Sequence, residues 1–225
     1  MRRRAGVPRA GTRGWVAGSR STAWSGVDGG PPVIAGVLLA AGAGRRFGAP
    51  KALVRLYDRP LVAWAAAALG GCDVVVVVLG AAAERVRGLV GPDGLVVVNP
   101  DWAGGMGSSL RAGLAAVPAE AEAAVVLTVD TPGIPRAAVE RVAGGATPAS
   151  LARATWDGVP GHPVVLGRDH WAGVRAVARG DVGARAYLRG REVRGVECGD
   201  LGWGVDVDTP ADLDRLVELM RGGDG

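Results

Sequence analysis

The stretch Gly42–Lys51 contains the residue types best suited to chemistry: three glycines, two adjacent arginines and one lysine. Glycines allow a ligand to approach the backbone closely, so that peptide N–H groups can point toward it. Arginine offers phosphate oxygens a rigid fork of donors, and lysine offers a mobile positive charge. The loop follows the apolar run Val33–Ala41, which predicts a buried parallel strand. A strand that leads into such a loop is typical of a polyphosphate site.

Lys51 is the only lysine among the 26 basic residues of the chain, and all the others are arginines. Its position favours a specific role over the alternative, a lysine retained by chance on a solvated loop. Two common phosphate-binding motifs do not fit the spacing. A dinucleotide-binding loop needs a glycine where Phe47 stands, and a Walker loop needs its lysine next to glycine, whereas Gly48 and Lys51 are three positions apart.

The segment Leu39–Lys51 reads Leu-Ala-Ala-Gly-x-Gly-x-Arg-Phe-Gly-x-x-Lys and resembles the signature loop of nucleotidyltransferases. It most resembles the MobA-like group and, within it, the molybdenum cofactor cytidylyltransferases, over a range from about Val33 to Met220. The resemblance implies catalytic roles for Arg46 and Lys51. It also implies a nucleotide site formed by Leu39, Ala40, Ala41, Gly42, Gly44, Arg46, Lys51, Gly80, Asn99, Gly105, Ser108, Ser109 and Asp130.

The length of 225 residues suits one domain with a short extension. We expect residues 33–221 to form the nucleotidyltransferase domain and the arginine-rich residues 1–32 to be a disordered extension, or to precede the true start of translation. Residues 1–33 hold six arginines and one aspartate, so the remainder, with 20 basic and 21 acidic residues, is nearly neutral. This balance argues against nucleic acid as a partner.

No apolar run approaches the roughly 20 residues that span a membrane, so we expect no membrane partner. Cys72 and Cys198 lie far apart without metal-ligand spacing and predict reduced thiols in a cytoplasmic protein. Apolar runs alternate with helical patterns along the chain. Strands are expected at 33–41, 72–79, 95–98, 123–129 and 147–156, and helices at 60–69, 81–90 and from 135 onward. The alternation predicts an α/β fold, a Rossmann-like three-layer sandwich with a mostly parallel sheet and ligands at the carboxyl ends of its strands.

A second polar, glycine-rich segment, Asn99–Gly113, follows a predicted strand and leads into a helix that is expected to end near Val117. Its backbone can approach a base or sugar, and Ser108 or Ser109 can cap the helix. The alternative is that the serines only cap the helix. The resemblance favours nucleotide contact, because Gly-Met-Gly-Ser-Ser-Leu is similar to the nucleotide-contacting segment of the cytidylyltransferases.

Acidic residues follow two of the apolar segments. Asp130 ends the strand at 123–129, where a carboxylate requires a cation or a helix to cap. In the segment Val205–Asp212, Asp208 or Thr209 is expected to cap a helix that begins near Pro210. Asp206 is then left over, on the same strand face as Asp208. The resemblance implies that Asp206 is the second metal-binding carboxylate, and together Asp130 and Asp206 would bind one Mg²⁺.

Two histidines and one arginine remain. The resemblance places His162, in Gly161-His162-Pro163, near the acceptor substrate, and the alternative is a loop histidine bonded to backbone. We expect His170 to be structural. Arg185 belongs to a turn and helix that the resemblance places close to the acceptor, and it either meets a phosphate or lies on a solvated helix face.

The predicted reaction is Mg²⁺-dependent transfer of CMP from CTP to molybdenum-molybdopterin, with release of pyrophosphate. The base and the acceptor rest on the resemblance, whereas the loop, the single lysine and the carboxylate pair independently favour nucleotidyl transfer. The alternatives are GTP as donor, another phosphorylated acceptor, or a non-catalytic carrier of the cofactor. A recipient molybdoenzyme would be a further partner.

Overall fold

The computed structural model describes residues 32–91 and 94–222. The strands are β1 (Ile34–Ala40), β2 (Arg55–Leu56), β3 (Arg59–Pro60), β4 (Val74–Leu79), β5 (Gly94–Val98), β6 (Ala123–Thr128), β7 (Leu151–Trp156), β8 (Val159–Gly167) and β9 (Arg194–Glu197). The helices are α1 (Leu61–Ala68), α2 (Ala83–Arg87), α3 (Met106–Ala116), α4 (Arg136–Ala143), α5 (Arg168–Val177), α6 (Arg185–Leu188) and α7 (Pro210–Gly222).

Seven of these strands form one sheet in the order β5-β4-β1-β6-β8-β7-β9. Strand β1 lies near the middle and pairs in parallel with β4 and β6, and β4 pairs in parallel with β5. Within this sheet only β8 runs in the opposite direction, antiparallel to β6 and β7. The predicted α/β fold with a mostly parallel sheet is therefore confirmed.

The sheet is buried on both faces because its central strands are apolar throughout. Along β1, Leu38 and Ala40 pack into one core with α1, α4 and α7, whereas Val37 and Leu39 pack into a second core with α3 and α5. Successive side chains of a strand point to opposite faces, so a continuous apolar run fills both cores. Helix α3 packs closely on β1: a Cβ at Gly113 would lie 2.6 Å from Val37 Cγ1.

The register brings three chain segments to one edge of the sheet. Leu39 of β1 lies beside Thr128 of β6, and Ala40 lies beside Leu79 of β4. The glycine-rich loop after β1, the turn at Gly80 and the residues after β6 therefore leave the sheet together. This is the carboxyl edge, where ligands bind in open α/β sheets.

Some predicted elements differ in extent. The helix predicted at 81–90 is shorter, Ala83–Arg87, and the strand predicted at 147–156 begins at Leu151, after Pro148. The disordered extension predicted for residues 1–32 lies outside the described residues, apart from residue 32. Both cysteines are free, and Cys198 is fully buried. Among the described residues, no helix is long and apolar enough to cross a membrane.

Candidate active site

The glycine-rich loop turns back on itself directly after β1. Gly44 lies at φ +63°, and its carbonyl oxygen accepts hydrogen bonds from the N–H groups of Phe47 (3.0 Å) and Gly48 (2.9 Å). A Cβ at Gly44 would lie 1.8 Å from the carbonyl oxygen of Ala49, so a larger residue would break the turn. Gly42 is exposed, and a Cβ there would meet no atom within 4 Å. The loop thus combines a tight turn at Gly44 with open space beside Gly42.

Lys51 begins a short 3-10 turn, Lys51–Leu53, and its ammonium group lies between two carboxylates. Its Nζ donates to Asp130 Oδ2 at 3.0 Å and also to Asp208 Oδ1. Only 14% of the lysine side chain is exposed. Burial disfavours the charged amine, but the two carboxylates outweigh burial and raise the pKa of Lys51 above its ordinary value. Lys51 is therefore a fixed positive charge at the edge of the sheet.

The two arginines of the loop differ in their contacts. Arg46 Nη1 donates to Asp208 Oδ2 at 2.8 Å, although 77% of the Arg46 side chain is exposed. Arg45 is exposed and makes no side-chain hydrogen bond or ion pair within the described part of the chain. Arg46, the arginine that matches the signature pattern, is thus the one that joins the charged cluster. Its ion pair with Asp208 is therefore largely exposed to solvent.

Asp130 and Asp206, the two carboxylates predicted to bind metal, lie close together. The N–H of Val207 donates to the carbonyl oxygen of Asp130 at 2.7 Å, which fixes the segment around Asp206 beside the end of β6. Asp206 remains accessible at the surface, yet the surrounding protein desolvates it and, together with the charge of Asp130, raises the pKa of its carboxyl. Asp130 and Asp206 therefore form a like-charge pair beside Lys51.

The helix cap predicted for Asp208 or Thr209 is formed by Thr209 and Asp212. Asp212 Oδ2 accepts from the N–H of Thr209 at 2.8 Å, and Thr209 Oγ1 accepts from the N–H of Asp212 at 3.3 Å. This reciprocal pair is a capping box around Pro210, and the bonds from Thr209 lower the pKa of Asp212. The acidic residue with a purely structural task is thus Asp212, and Asp208 is available to the site.

The sequence did not identify Asp208 as a site residue. The prediction that Asp206 and Asp208 lie on the same face of a strand was wrong. Residues 205–208 form no β-strand, because Val207 bonds to the Asp130 carbonyl instead of pairing in a ladder. The hydrogen bond from Lys51 holds the pKa of Asp208 below its ordinary value. The spacing Thr209-x-x-Asp212 could have assigned the cap and released Asp208, because a hydroxyl residue followed three positions later by an acid is a capping-box pattern.

His162 lies on β8 at the same edge of the sheet. Its Nδ1 is 3.2 Å from the carbonyl oxygen of Val126, and its own carbonyl oxygen accepts from Trp156 Nε1 at 2.8 Å. The imidazole is close enough to Asp206 for its charge to oppose the rise in the pKa of that carboxyl. His162 therefore lies beside the acidic residues of the site. It also makes the contact with a backbone carbonyl that the alternative interpretation, a histidine bonded to backbone, predicts.

His170 and Arg185 lie apart from this cluster. The ring nitrogens of His170 lie 3.0 Å from Tyr187 Oη and 3.0 Å from the carbonyl oxygen of Ala149, a structural arrangement. Arg185 is exposed at the start of α6, which agrees with the solvated helix face.

The side chains of Asn99, Ser108 and Ser109 form an internal network. Asn99 Nδ2 donates to Ser108 Oγ at 2.9 Å and to Ser109 Oγ at 3.1 Å, and all three residues are at most 6% exposed. The predicted serine cap is wrong, because Gly105 precedes α3 and no side chain caps it. Asn99 and Ser108 border a surface cavity of about 650 Å³ between α3 and α5. The network therefore ties the side chains of this loop to one another and to its backbone.

The remaining residues of the predicted nucleotide site lie around the carboxyl edge of the sheet. Leu39 and Ala40 end β1, Ala41 follows it, and all three are buried. The Ala41 carbonyl oxygen accepts from the N–H of Ala81 at 3.0 Å. Gly80 packs tightly, since a Cβ there would lie 2.6 Å from the same carbonyl oxygen. Gly105, at φ +92°, packs against Gly180, so close packing also requires glycine there.

The acidic groups fit a divalent cation of the kind that the resemblance implies. Asp206 makes no side-chain hydrogen bond or ion pair with any described residue, and its neighbour Asp130 carries the same charge. A cation between them would relieve the repulsion, and Mg²⁺ commonly takes one or two carboxylates together with phosphate oxygens. Among the described residues, no group of three or more histidine, cysteine or acidic side chains is arranged to hold a metal. Asp130 and Asp206 remain the candidate ligands because their like charges lie close together at the edge of the sheet.

A mostly parallel sheet with a glycine-rich loop, a largely buried lysine and carboxylates at its carboxyl edge is typical of α/β proteins that bind a ligand at that edge. Residues 36–196 match the MobA-like NTP transferase domain, and the chain belongs to that family. It is 39% identical over 199 residues to nicotine blue oxidoreductase of Paenarthrobacter nicotinovorans, which covers 83% of this chain and 97% of that protein. It is 38% identical over 204 residues to molybdenum cofactor guanylyltransferase of Rhodobacter capsulatus, which covers 84% and 97% of the two chains.

Solved structures show the same fold. The crystal structure of Rv0371c from Mycobacterium tuberculosis is 30% identical, with a TM-score of 0.72, and the match covers 83% of this chain and 98% of that one. A structure of Rv0371c in complex with manganese matches with a TM-score of 0.67, at 31% identity and 83% and 98% coverage. These relatives support the α/β nucleotidyltransferase fold for this chain.

Proposed function

We propose that this protein is a divalent-metal-dependent nucleotidyltransferase that transfers CMP from CTP to a molybdopterin-type acceptor and releases pyrophosphate. One observation carries the proposal: Lys51 lies 3.0 Å from Asp130, with Arg46, Asp206 and Asp208 around them, at the edge of a family fold that handles nucleoside triphosphates. The proposed location is the cytoplasm, in agreement with two free thiols.

Each residue of the cluster has a distinct task in this reaction. Lys51 and Arg46 would bind the triphosphate, and Lys51 would offset the negative charge that grows on the departing pyrophosphate. Asp130 and Asp206 would hold Mg²⁺, which would supply positive charge to offset the charge of the triphosphate. The backbone at Gly42 and Gly44 would approach the phosphates. His162 would lie on the acceptor side, beside Asp206.

No protein base is needed for the attack. The acceptor presents a terminal phosphate whose oxygens are already ionised near neutral pH. The contribution of the protein is therefore the alignment of two phosphate groups and the stabilisation of the charge between them. The internal network of Asn99, Ser108 and Ser109 would keep the second glycine-rich loop rigid against the nucleotide.

The choice of CTP rests on the similarity of Gly105–Leu110 to the cytidylyltransferase segment. The relative from Rhodobacter capsulatus is a guanylyltransferase and supports GTP as the alternative donor. Purified protein should be incubated with each of the four nucleoside triphosphates, Mg²⁺ and molybdenum-loaded molybdopterin while pyrophosphate is measured. CTP should give the fastest release. Faster release with GTP would reassign the base, and no release with any nucleotide would favour a cofactor carrier.

A second candidate function follows from the 39% identity to nicotine blue oxidoreductase over nearly the full length of that protein. In this case the site at the carboxyl edge of the sheet would bind a reducing dinucleotide in place of a triphosphate. The loop lacks the dinucleotide spacing, because Phe47 stands where a third glycine is needed, which favours nucleotidyl transfer. Consumption of NADH or NADPH with nicotine blue, in parallel with the pyrophosphate assay, would decide between the two.

A further inference from the structure

A second cavity, of about 390 Å³, opens on the face of the sheet that α1, α4 and α7 cover. Its walls are mainly apolar, and Trp64, Ile134, Trp203 and Met220 are among the residues that line them. The volume lies within the range of pockets that bind small molecules, roughly 300–1,000 Å³. None of the charged side chains around Lys51 lines this cavity, so the proposed function assigns it no role.

Arg59 brings a positive charge to this apolar cavity. It belongs to β3 and is half-buried, and its Cζ lies 5.0 Å from the centroid of the Trp64 ring. Its guanidinium also donates to the carbonyl oxygen of Ala63. No acidic side chain of the described residues forms an ion pair with Arg59, and burial lowers the pKa of the guanidinium. A partly desolvated cation without a carboxylate favours an anionic ligand.

The other arginine that lines the cavity, Arg136, already has an acidic partner. Its Nε donates to Glu140 Oε1 at 2.6 Å, and both side chains are at least half exposed. Such a pair lies in water and adds little net charge. Arg59 is therefore the cation that remains available to a ligand in the cavity.

The two tryptophans indicate which kind of anion would fit. The indoles of Trp64 and Trp203 both line the cavity, together with the side chain of Met220. Aromatic rings pack well against indoles and against thioether sulfur. The planar fork of an arginine matches the two oxygens of a carboxylate. A ligand with an aromatic ring and a carboxylate would therefore satisfy both the apolar walls and Arg59.

The cavity is connected with the active-site cluster through the backbone. Pro132 and Gly133 line it and lie two and three positions after Asp130. The N–H of Trp203, three positions before Asp206, donates to the carbonyl oxygen of Gly133 at 3.2 Å. A ligand in the cavity would thus contact both segments that carry the candidate metal ligands.

We propose that this cavity is a binding site for a small aromatic carboxylate, with the carboxylate on Arg59 and the ring against Trp64 and Trp203. The inference does not rest on the proposed function, because the charged cluster around Lys51 is no part of the cavity. It gives the protein a second ligand site, on the side of the sheet opposite α3.

The test is isothermal titration calorimetry of the full chain with three probes that share one ring system. The probe 1-naphthaleneacetate is anionic, 1-naphthaleneacetamide is neutral and 1-naphthylmethylamine is cationic. Wild-type protein should bind the carboxylate at least about tenfold more tightly than the amide, because a hydrogen bond between two charged groups is stronger than one to a neutral group. The amine should bind most weakly.

Three variants locate the contacts. Arg59→Gln removes the charge and should bring the carboxylate and the amide to equal affinity. Arg55→Gln is the matched control, because Arg55 lies on the same hairpin, is exposed and does not line the cavity, and it should keep the wild-type preference. Ala67→Phe places a ring in the cavity and should weaken the binding of carboxylate and amide alike, by at least about tenfold. Melting temperatures check that each variant is folded.

Four results would overturn the inference. Two concern wild-type protein: no binding of 1-naphthaleneacetate, or equal affinity for the carboxylate and the amide. The third is an equal effect of Arg59→Gln and Arg55→Gln on the preference for the carboxylate. The fourth is undiminished binding to folded Ala67→Phe, which would place the probes outside the cavity. The wild-type titrations decide on their own if a variant fails to fold, and no step involves nucleotide, so the outcome is separate from that of the pyrophosphate assay.

Discussion

The ammonium nitrogen of Lys51 lies 3.0 Å from the carboxylate of Asp130, although 79 positions separate the two residues in the chain. Lys51 follows the glycine-rich loop and Asp130 follows β6, and the parallel pairing of β1 with β6 brings both to one edge of the sheet. The contact therefore depends on the register of the central strands.

Lys51→Ala should reduce turnover by about 10²–10³-fold, because the less exposed of the two cations, Lys51 and Arg46, would no longer offset the growing charge on pyrophosphate. The measurement is pyrophosphate release at saturating nucleotide. The matched control is Arg45→Ala, which removes a positive charge from the same loop at a position without side-chain contacts. Equal activity of Lys51→Ala and Arg45→Ala would remove Lys51 from the mechanism.

Lys51 can also be followed by chemical labelling, because it is the only lysine of the chain. Two carboxylates raise its pKa and its side chain is 14% exposed, so an amine reagent should modify it at least about tenfold more slowly than a free lysine. Mass spectrometry separates this label from that of the N-terminal amine. Asp208→Asn should accelerate labelling by removing one partner, and labelling as fast as that of free lysine would contradict the described ion pairs.

Asp206→Asn should slightly stabilise the metal-free protein, with a rise in melting temperature of about 1–2 °C, because one member of a like-charge pair becomes neutral. The rise in melting temperature that Mg²⁺ and nucleotide produce in wild-type protein should then be largely lost. Thermal unfolding with and without Mg²⁺ measures both effects. Asp214→Asn serves as the control, and full retention of the Mg²⁺ effect in Asp206→Asn would exclude Asp206 as a ligand.

Glu197 provides a prediction on pH. Its carboxylate accepts from Thr155 Oγ1 at 2.7 Å and from the backbone N–H groups of Gly199, Gly158 and Asp157, which lower the pKa of Glu197 to about 2. Because the folded-state pKa lies below the unfolded value, its contribution to stability is complete above about pH 4.5 and is lost as pH falls toward 2.

The direct measurement is an NMR titration of the Glu197 carboxyl. Glu197→Gln should also lower the melting temperature at pH 7 and have a smaller effect near pH 2, where wild-type protein has lost the same charge. Glu192→Gln, at an exposed position with no side-chain hydrogen bond in the described ranges, is the control. A melting-temperature difference that does not change between pH 7 and pH 2 would contradict the assignment.

Thr209→Ala should destabilise the protein by about 1 kcal/mol, because the N–H of Asp212 loses its acceptor in the capping box. Thr209→Ser keeps the hydroxyl and should retain most of the stability. Urea unfolding of the three proteins gives the free energies of unfolding. The alanine variant should also weaken nucleotide binding, because the cap holds the segment that presents Asp208.

Much of the fold could be predicted from sequence because the strands are short apolar runs separated by clear helix signals. The five valines of Val74–Val78 and the run Val33–Ala41 leave little alternative to buried parallel strands. The lengths of the individual helices and strands were less predictable. Helix α2 is only five residues long and ends before Gly88, although the pattern predicted a helix over 81–90.

The candidate site was predictable where a residue type was unusual for its position, as for Lys51 and Asp130. It was less predictable in Val205–Asp212, where three acids share eight residues and only the fold decides which one caps, which one pairs with Lys51 and which one stays unpaired. Serine hydroxyls posed a similar problem. Ser108 and Ser109 could have faced solvent, and the bonds from Asn99 turn them inward.

The hydrogen bond from Val207 to the carbonyl oxygen of Asp130 has a consequence for biosynthesis. Lys51 and Asp130 leave the ribosome well before Asp206 and Asp208, so a nascent chain can assemble β1, β4, β5 and β6 while its acidic cluster is still incomplete. The final segment can form its bond to Asp130 only after it has been synthesised. If the cluster is the site of the proposed function, partly synthesised chains would be unable to sequester metal or nucleotide, and competence would arrive only with the last stage of translation.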